Sequence, residues 1–395
     1  MNFPKPILVL VLFAVIGISL QSLKSPDSSS SQNLLQLPEK DYSPTRRNGK
    51  YADAQKLPDV YNKSHWFELG FPKITEELAL ALKHHRHVLG SGKFKDGKEV
   101  GGLDVVTSDF ETVIDLLIER EGLRPDDLHH YLEAYQIKGE DQKGNVFFTG
   151  YYTPVLSAKK HKSGKYKYPI YAYPDSWMGA MPSRAEIEKA GHLDGLGLEL
   201  AYTDDPVNVS IMQLQGSGYV DFVDTGERLL FRYAGNNGHR YRNIQYFFKN
   251  RSDLSIGDVS FKGIKRFLNQ NPALVDSVLH YNPAYTFFSA DKGLVKGAGE
   301  VPLMKAISIA ADPNFFPPGS VLLAAVPVME NGRVTHHEYR ILLPQDVGSA
   351  VKGPGHVDVY CGVGAAGEKM ASSLHHYGKI WMLTPKKNQQ VAQAL

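Results

Sequence analysis

Near its C-terminal end the chain contains a run that no single helix can accommodate. It reads Gln345-Asp346-Val347-Gly348, then Lys352-Gly353-Pro354-Gly355, then His356-Val357-Asp358-Val359-Tyr360. Three glycines and a proline lie between two acids twelve positions apart, and glycine and proline weaken or break helices. The run therefore reads as strand end, tight loop and strand. Side chains alternate between faces along a strand, so Val357, Val359 and Cys361 point into a core while His356, Asp358 and Tyr360 point the other way. Asp358 becomes a carboxylate flanked by valines with aromatic neighbours on its own face, a setting that favours the neutral acid and raises its pKa. A protonated carboxyl in a sugar-sized cleft is what cleavage of a glycosidic bond requires. The competing reading is structural: Asp346 and Asp358 accept backbone N–H bonds beside glycine turns, a common use of Asp.

A length of 395 residues suggests two or three domains. With 42% hydrophobic and 22% charged residues the chain can bury an ordinary core. Lys and Arg total 44 against 42 acids, a net charge of +2. With no long basic run, that balance argues against nucleic acid as the partner. The 21 Tyr and 18 Phe are mostly core, but tyrosine-rich loops also suit carbohydrate, whose C–H faces pack on rings.

At the N-terminus Lys5 precedes an apolar run over residues 7–18. The run is short for a bilayer span and matches the apolar region of a secretory signal, with Gly17 and Ser19 as small residues of a cleavage site. An uncleaved anchor and a buried helix are the other readings. Residues 1–22 are taken as signal peptide or anchor and 23–51, with Ser28-Ser29-Ser30-Ser31, as a disordered tether. Cys361 is the sole cysteine, so an intrachain disulfide and a cysteine-built zinc site are both excluded.

Helices are expected over 74–89, from a capping box at Ser108-Asp109-Phe110-Glu111 to Gly122, and over 126–135. Strands follow over 147–154, 168–174, 211–219 and 229–233, then helices over 261–269 and 272–280. Strands return over 305–311, 321–328, 339–343, 356–361 and 379–383, with a type II turn at Pro317-Pro318-Gly319. The pattern of helices, β, helices, β fits an α+β protein, mainly β with flanking helices, in which one domain interrupts another.

Three further groups could carry chemistry. Thr149-Gly150-Tyr151-Tyr152 sets a small residue and a glycine beside two rings, where a ligand could approach the backbone, or else forms a glycine bulge with core tyrosines. Gln213 and Gln215 share one face of the expected strand before Gly216-Ser217-Gly218, where two amides could bind sugar hydroxyl and acetamido groups or simply face solvent. The histidine pairs His84-His85, His129-His130, His336-His337 and His375-His376 lack the spacing of a zinc hydrolase, and no metal is expected. Gly297-Ala298-Gly299 lacks the context of a dinucleotide loop, and Gly216-Ser217-Gly218 is not a nucleophile elbow.

Taken in order, Phe148-Thr149-Gly150-Tyr151-Tyr152, Gln213-Leu214-Gln215-Gly216-Ser217-Gly218, Asn282-Pro283-Ala284-Tyr285-Thr286-Phe287-Phe288, Pro317-Pro318-Gly319, Asp346-Val347-Gly348 and Asp358-Val359-Tyr360-Cys361-Gly362-Val363-Gly364 resemble the membrane-bound lytic murein transglycosylase A family over residues 51–383. The resemblance implies a double-psi β-barrel catalytic domain, here 52–153 and 282–386, interrupted by an inserted β-rich domain over 154–281, with a tail at 387–395. It also implies exolytic cleavage of the β-1,4 bond between N-acetylmuramic acid and N-acetylglucosamine in peptidoglycan, with no cofactor. Asp358 matches the family's catalytic aspartate, and Asp346 and Asp312 its other characteristic aspartates. Thr149, Gly150, Tyr151, Tyr152, Gln213, Gln215, Gly216, Ser217, Asp312 and Lys352 are the candidate substrate-binding residues. The implied location is the periplasm, at the outer membrane, with peptidoglycan glycan strands as partner; cell-wall synthesis or division proteins are unidentified further candidates. In one respect the chain departs: family members are usually acylated on a cysteine after the apolar region, where Ser19 and Leu20 stand here.

A single acid is chemically sufficient for such a reaction. If the muramic C6 hydroxyl attacks its own C1, the nucleophile is intramolecular and pre-positioned. Asp358 can then give a proton to the leaving oxygen and take one from the C6 hydroxyl, with Asp346, and Lys352 near it, tuning its pKa. Two alternatives stay open: an inverting glycoside hydrolase in which Asp346 activates water, and a non-catalytic expansin-like wall-binding protein.

Overall fold

The computed structural model describes residues 59–387, apart from 66–68, 91, 93–98, 120–124, 250 and 252, together with the two-residue strand Leu34–Leu35. The expected signal or anchor, most of the tether, Gly122 and nearly all of the tail lie outside the described residues. Among the described residues no helix is long and apolar enough to cross a membrane.

The first part of the chain forms β1 (Leu34–Leu35), β2 (Tyr61–Lys63), α1 (Glu76–Leu89), α2 (Thr107–Glu119), α3 (Pro125–Leu128), β3 (Leu132–Ile137) and β4 (Val146–Thr153). Thr75 caps α1 by accepting from Leu78 N, whereas Asp109, expected in a capping box, accepts from Val106 N inside a helix that already starts at Thr107. The helix expected over 126–135 is corrected: it stops at Leu128 and the chain turns into β3. There Leu132, Ala134 and Ile137 are buried, with β15 and β2 on either side.

A second sheet then begins at β5 (Val155–Lys159) and continues through β6 (Tyr168–Tyr171), α4 (Arg184–Glu188), β7 (Glu199–Thr203), α5 (Pro206–Gln215), β8 (Ser217–Phe222) and β9 (Arg228–Asn236). The helices α6 (Gln245–Lys249), α7 (Phe261–Gln270) and α8 (Val275–Leu279) precede β10 (Thr286–Asp291). The sheet order is β10-β9-β8-β5-β7-β6. The second body therefore extends beyond residue 281, because β10 lies antiparallel to β9 from Thr286 to Asp291. The strand expected over 211–219 is also corrected. Asp205 accepts from Val207 N, Pro206 takes the first helical position and Gly216, at φ 82°, closes α5 in the left-handed region, all helix-end chemistry.

The chain returns to the first sheet with β11 (Ser308–Ala310), β12 (Leu322–Glu330), β13 (Arg333–Asp346), β14 (His356–Val363), α9 (Gly364–Ser373) and β15 (His375–Pro385). The pairings run β13-β11-β14-β4-β15, and β12 pairs with both β15 and β13, which closes the circuit. Phe148, Val357, Val359, Ile309, Leu322 and Leu342 fill one buried cluster with Leu82 of α1 and Phe110 of α2. The turn before β12 is set at Pro317, where Ser320 N donates to Pro317 O at 3.1 Å and Gly319 adopts φ +93°, the type II geometry that glycine permits.

Candidate active site

On β14, Val357 and Val359 are fully buried while Asp358 is partly exposed on the opposite face. The neighbouring strand β4 runs parallel, with His356, Asp358 and Tyr360 beside Phe147, Thr149 and Tyr151. One face thus carries a ladder of three polar or aromatic pairs. On its other side Asp358 is in register with Ala310 of β11, and so, on the next strand, is Asp346. The two acids flank one small residue, two strand spacings apart, or about 10 Å between backbones.

The Thr149 hydroxyl donates to Asp358 Oδ1 at 2.9 Å and lies 2.8 Å from His356 Nε2. Burial pushes the Asp358 carboxyl up to about 7; the Thr149 bond opposes the rise and the charge of Asp346 adds to it. Asp346 is held by three donors. Tyr151 OH gives to Oδ2 at 2.9 Å, and Ala298 N and Val347 N give to Oδ1, each at 2.9 Å. Burial and the Asp346 carboxylate together push the Tyr151 phenol up, so it remains a donor. The loop supplying Ala298 can approach because Gly297 and Gly299 lie close to Gln345 O, which accepts from Gly299 N at 2.8 Å.

The other sequence candidates have different surroundings. Gly150 serves packing: a Cβ there would lie 2.7 Å from Ala371 Cα and 2.9 Å from Cys361 Sγ, so its open side is taken by α9 and not by a ligand. Tyr152 packs on the helical cluster of the second body and its N–H donates to Gln215 Oε1 at 2.9 Å. Gln213 is buried; its amide accepts from Arg184 and donates to Thr286 O. The two glutamines therefore lie on a helix, with their amides engaged inside the protein, and not on an open strand face. Gly216 caps that helix and Ser217 opens β8. Asp312 is buried and accepts from Gly353 N at 2.9 Å and Asn314 N at 3.1 Å, shaping the loop before β14. Lys352 is exposed and makes no ion pair with Asp346 among the described residues. The geometry brings Thr149, Tyr151, Asp346 and Asp358 together; the rest lie in the surrounding scaffold. His356 and Ala298 were missed as participants. Strand alternation put His356 on the right face, and the Gly297-Ala298-Gly299 run was a sign of close backbone approach.

A carboxyl whose pKa burial raises to about 7, beside a second carboxylate, is the kind of perturbed group that marks a candidate active site. Comparison with known proteins gives the arrangement a family. The MltA specific insert domain matches residues 147–289 and the 3D domain matches 307–384. The membrane-bound lytic murein transglycosylase A of Escherichia coli K12 is 41% identical over 256 residues, 64% of this chain and 69% of that protein. The crystal structure of E. coli MltA with bound chitohexaose superposes with a TM-score of 0.71 at 33% identity, covering 88% of this chain and 99% of that one. MltA of Neisseria gonorrhoeae gives 0.67 at 25% identity over 90% and 97%. The chain belongs to the membrane-bound lytic murein transglycosylase A family.

Proposed function

We propose that the protein is a peptidoglycan lytic transglycosylase in which Asp358 alone serves as acid and then base. One observation carries the reading: Thr149 engages Asp358 at Oδ1, and no partner meets Oδ2 among the described residues, in an enclosed carboxyl whose pKa burial raises to about 7. In the first step Oδ2–H protonates the oxygen leaving C1 of the muramic residue as the C1–O bond breaks. The resulting carboxylate then takes the proton of the C6 hydroxyl as that oxygen bonds to C1, leaving a 1,6-anhydromuramoyl end and restoring the acid. Asp346 already accepts from Tyr151 OH, Ala298 N and Val347 N, which makes it a weaker base toward water, and its charge raises the Asp358 pKa. The glycan strand as occupant is supported by the chitohexaose bound in the E. coli relative. The six-strand circuit further supports a double-psi β-barrel.

Mass analysis of unreduced products from purified peptidoglycan tests this directly. Anhydro ends, each lighter by one water than a hydrolytic end, are expected; reducing muramic ends would hand the site to a hydrolase. The family's membrane-bound members also support export to the periplasm, and recovery of the full-length chain in the cytoplasmic fraction of cells would count against it.

A further inference from the structure

The oxygen of Thr149 stands between two partners, His356 Nε2 at 2.8 Å and Asp358 Oδ1 at 2.9 Å. A hydroxyl carries one hydrogen. When that hydrogen goes to Asp358, the contact with His356 requires the imidazole to donate from Nε2–H. His356 is well placed to hold this direction, since it is buried, precedes Asp358 by two residues on the same face of β14, and packs beside Phe147 at 5.8 Å between ring centres.

We propose that His356 is a positioning residue for the acid: as the Nε2–H tautomer it fixes the Thr149 hydroxyl as a donor to Oδ1, so that the proton of Asp358 resides on Oδ2. The role rests on the acid–base reading of Asp358 given above. A carboxylic proton can sit on either oxygen. A donor already aimed at Oδ1 excludes it from that oxygen, and leaves it on the one that is free to meet a glycosidic oxygen. Without the imidazole the hydroxyl can turn and accept from Oδ1–H, which strands the proton on the wrong side of the carboxyl. After proton transfer the same donor supports the carboxylate until it takes the C6 hydroxyl proton.

The test compares wild type, His356→Phe, His356→Gln, Thr149→Val and the double variant His356→Phe/Thr149→Val on purified glycan strands, with anhydro ends as readout. His356→Phe should lower kcat about tenfold or more while KM stays within about twofold, because an interaction needed only for proton transfer is lost. Gln keeps an N–H donor of similar reach and should recover most of the rate. The double variant should be no slower than Thr149→Val alone, because the imidazole acts through the hydroxyl. Equal losses for Phe and Gln, a loss confined to KM, or multiplying losses in the double variant would each overturn the role. Should His356→Phe not fold, His356→Met, which lacks the donor, takes its place against His356→Gln. A wild type that forms no anhydro ends defeats the acid–base reading itself, whereas an active wild type with an indifferent His356→Phe defeats only this role.

Discussion

Replacing Asp358 with Asn should do more than abolish turnover: it should stabilise the protein, increasingly so as the pH rises. Burial moves the carboxyl from 3.8 to about 7 in the folded chain, so the folded state holds its proton where the unfolded chain has released it. The contribution of Asp358 to stability is therefore fullest below about pH 4 and is lost as the pH climbs through 7. Asn cannot ionise, so it escapes that loss while its amide oxygen still accepts from Thr149. Each pH unit inside the window is worth about 1.4 kcal/mol. Between pH 5 and pH 8 the advantage of Asp358→Asn over wild type should then grow by up to about 2.5 kcal/mol, less where cleft water reaches the carboxyl. Urea titrations of both proteins at the two pH values measure it, and subtracting one protein from the other cancels every group they share. An advantage that stays constant, or shrinks, between pH 5 and pH 8 would mean that folded Asp358 is already ionised at pH 5. The argument for it as the acid would then fail.

The same titration governs catalysis. With kcat/KM dependent on protonated free enzyme, the rate should fall about tenfold per pH unit above pH 7, and a decline centred near pH 4 to 5 in initial-rate assays would exclude Asp358 as the acid. Gly150→Ala places a methyl group 2.7 Å from Ala371 Cα, so α9 must shift. Overpacking of this kind costs about 1–3 kcal/mol, and an unchanged urea midpoint would show that Gly150 is not what lets α9 lie against β4.

Legibility in the sequence followed the range of the interactions. The alternation of β14 and the Pro-Gly turn before β12 are local, and each showed in a few residues. The helix α5 was also written locally, in Asp205, Pro206 and Gly216, but the alternation of Met212 and Leu214 with Gln213 and Gln215 resembled a strand. Packing overrode local preference at β3, where a helical start at Pro125 gives way because β15 and β2 offer ladder partners on both sides. The polar contacts of the site were out of reach altogether. Thr149 meets Asp358 across 209 positions and Tyr151 meets Asp346 across 195; periodicity can assign each to a face but not to a neighbour. The resemblance supplied the partners without saying how they bond.

The placement of Asp346 depends on an irregularity that periodicity cannot express. Along the parallel pair, Ser308 faces Leu343 and Ile309 faces Pro344, so a regular ladder would bring Gln345 opposite Ala310. The register shifts there, and Ala310 faces Asp346 instead. Because side chains alternate, a shift of one residue exchanges the faces of everything beyond it. Gln345 is left buried, its Oε1 accepting from the Ser308 hydroxyl, while Asp346 comes to the face that carries Asp358 and within reach of the Tyr151 hydroxyl. A regular strand would have set a neutral amide in the position where the site now holds a charge. Asp358 would have kept the part of its raised pKa that burial supplies and lost the part that a neighbouring carboxylate adds. The bulge therefore links topology to chemistry: it lets a strand end supply both a core glutamine and, one residue later, the charge facing the acid.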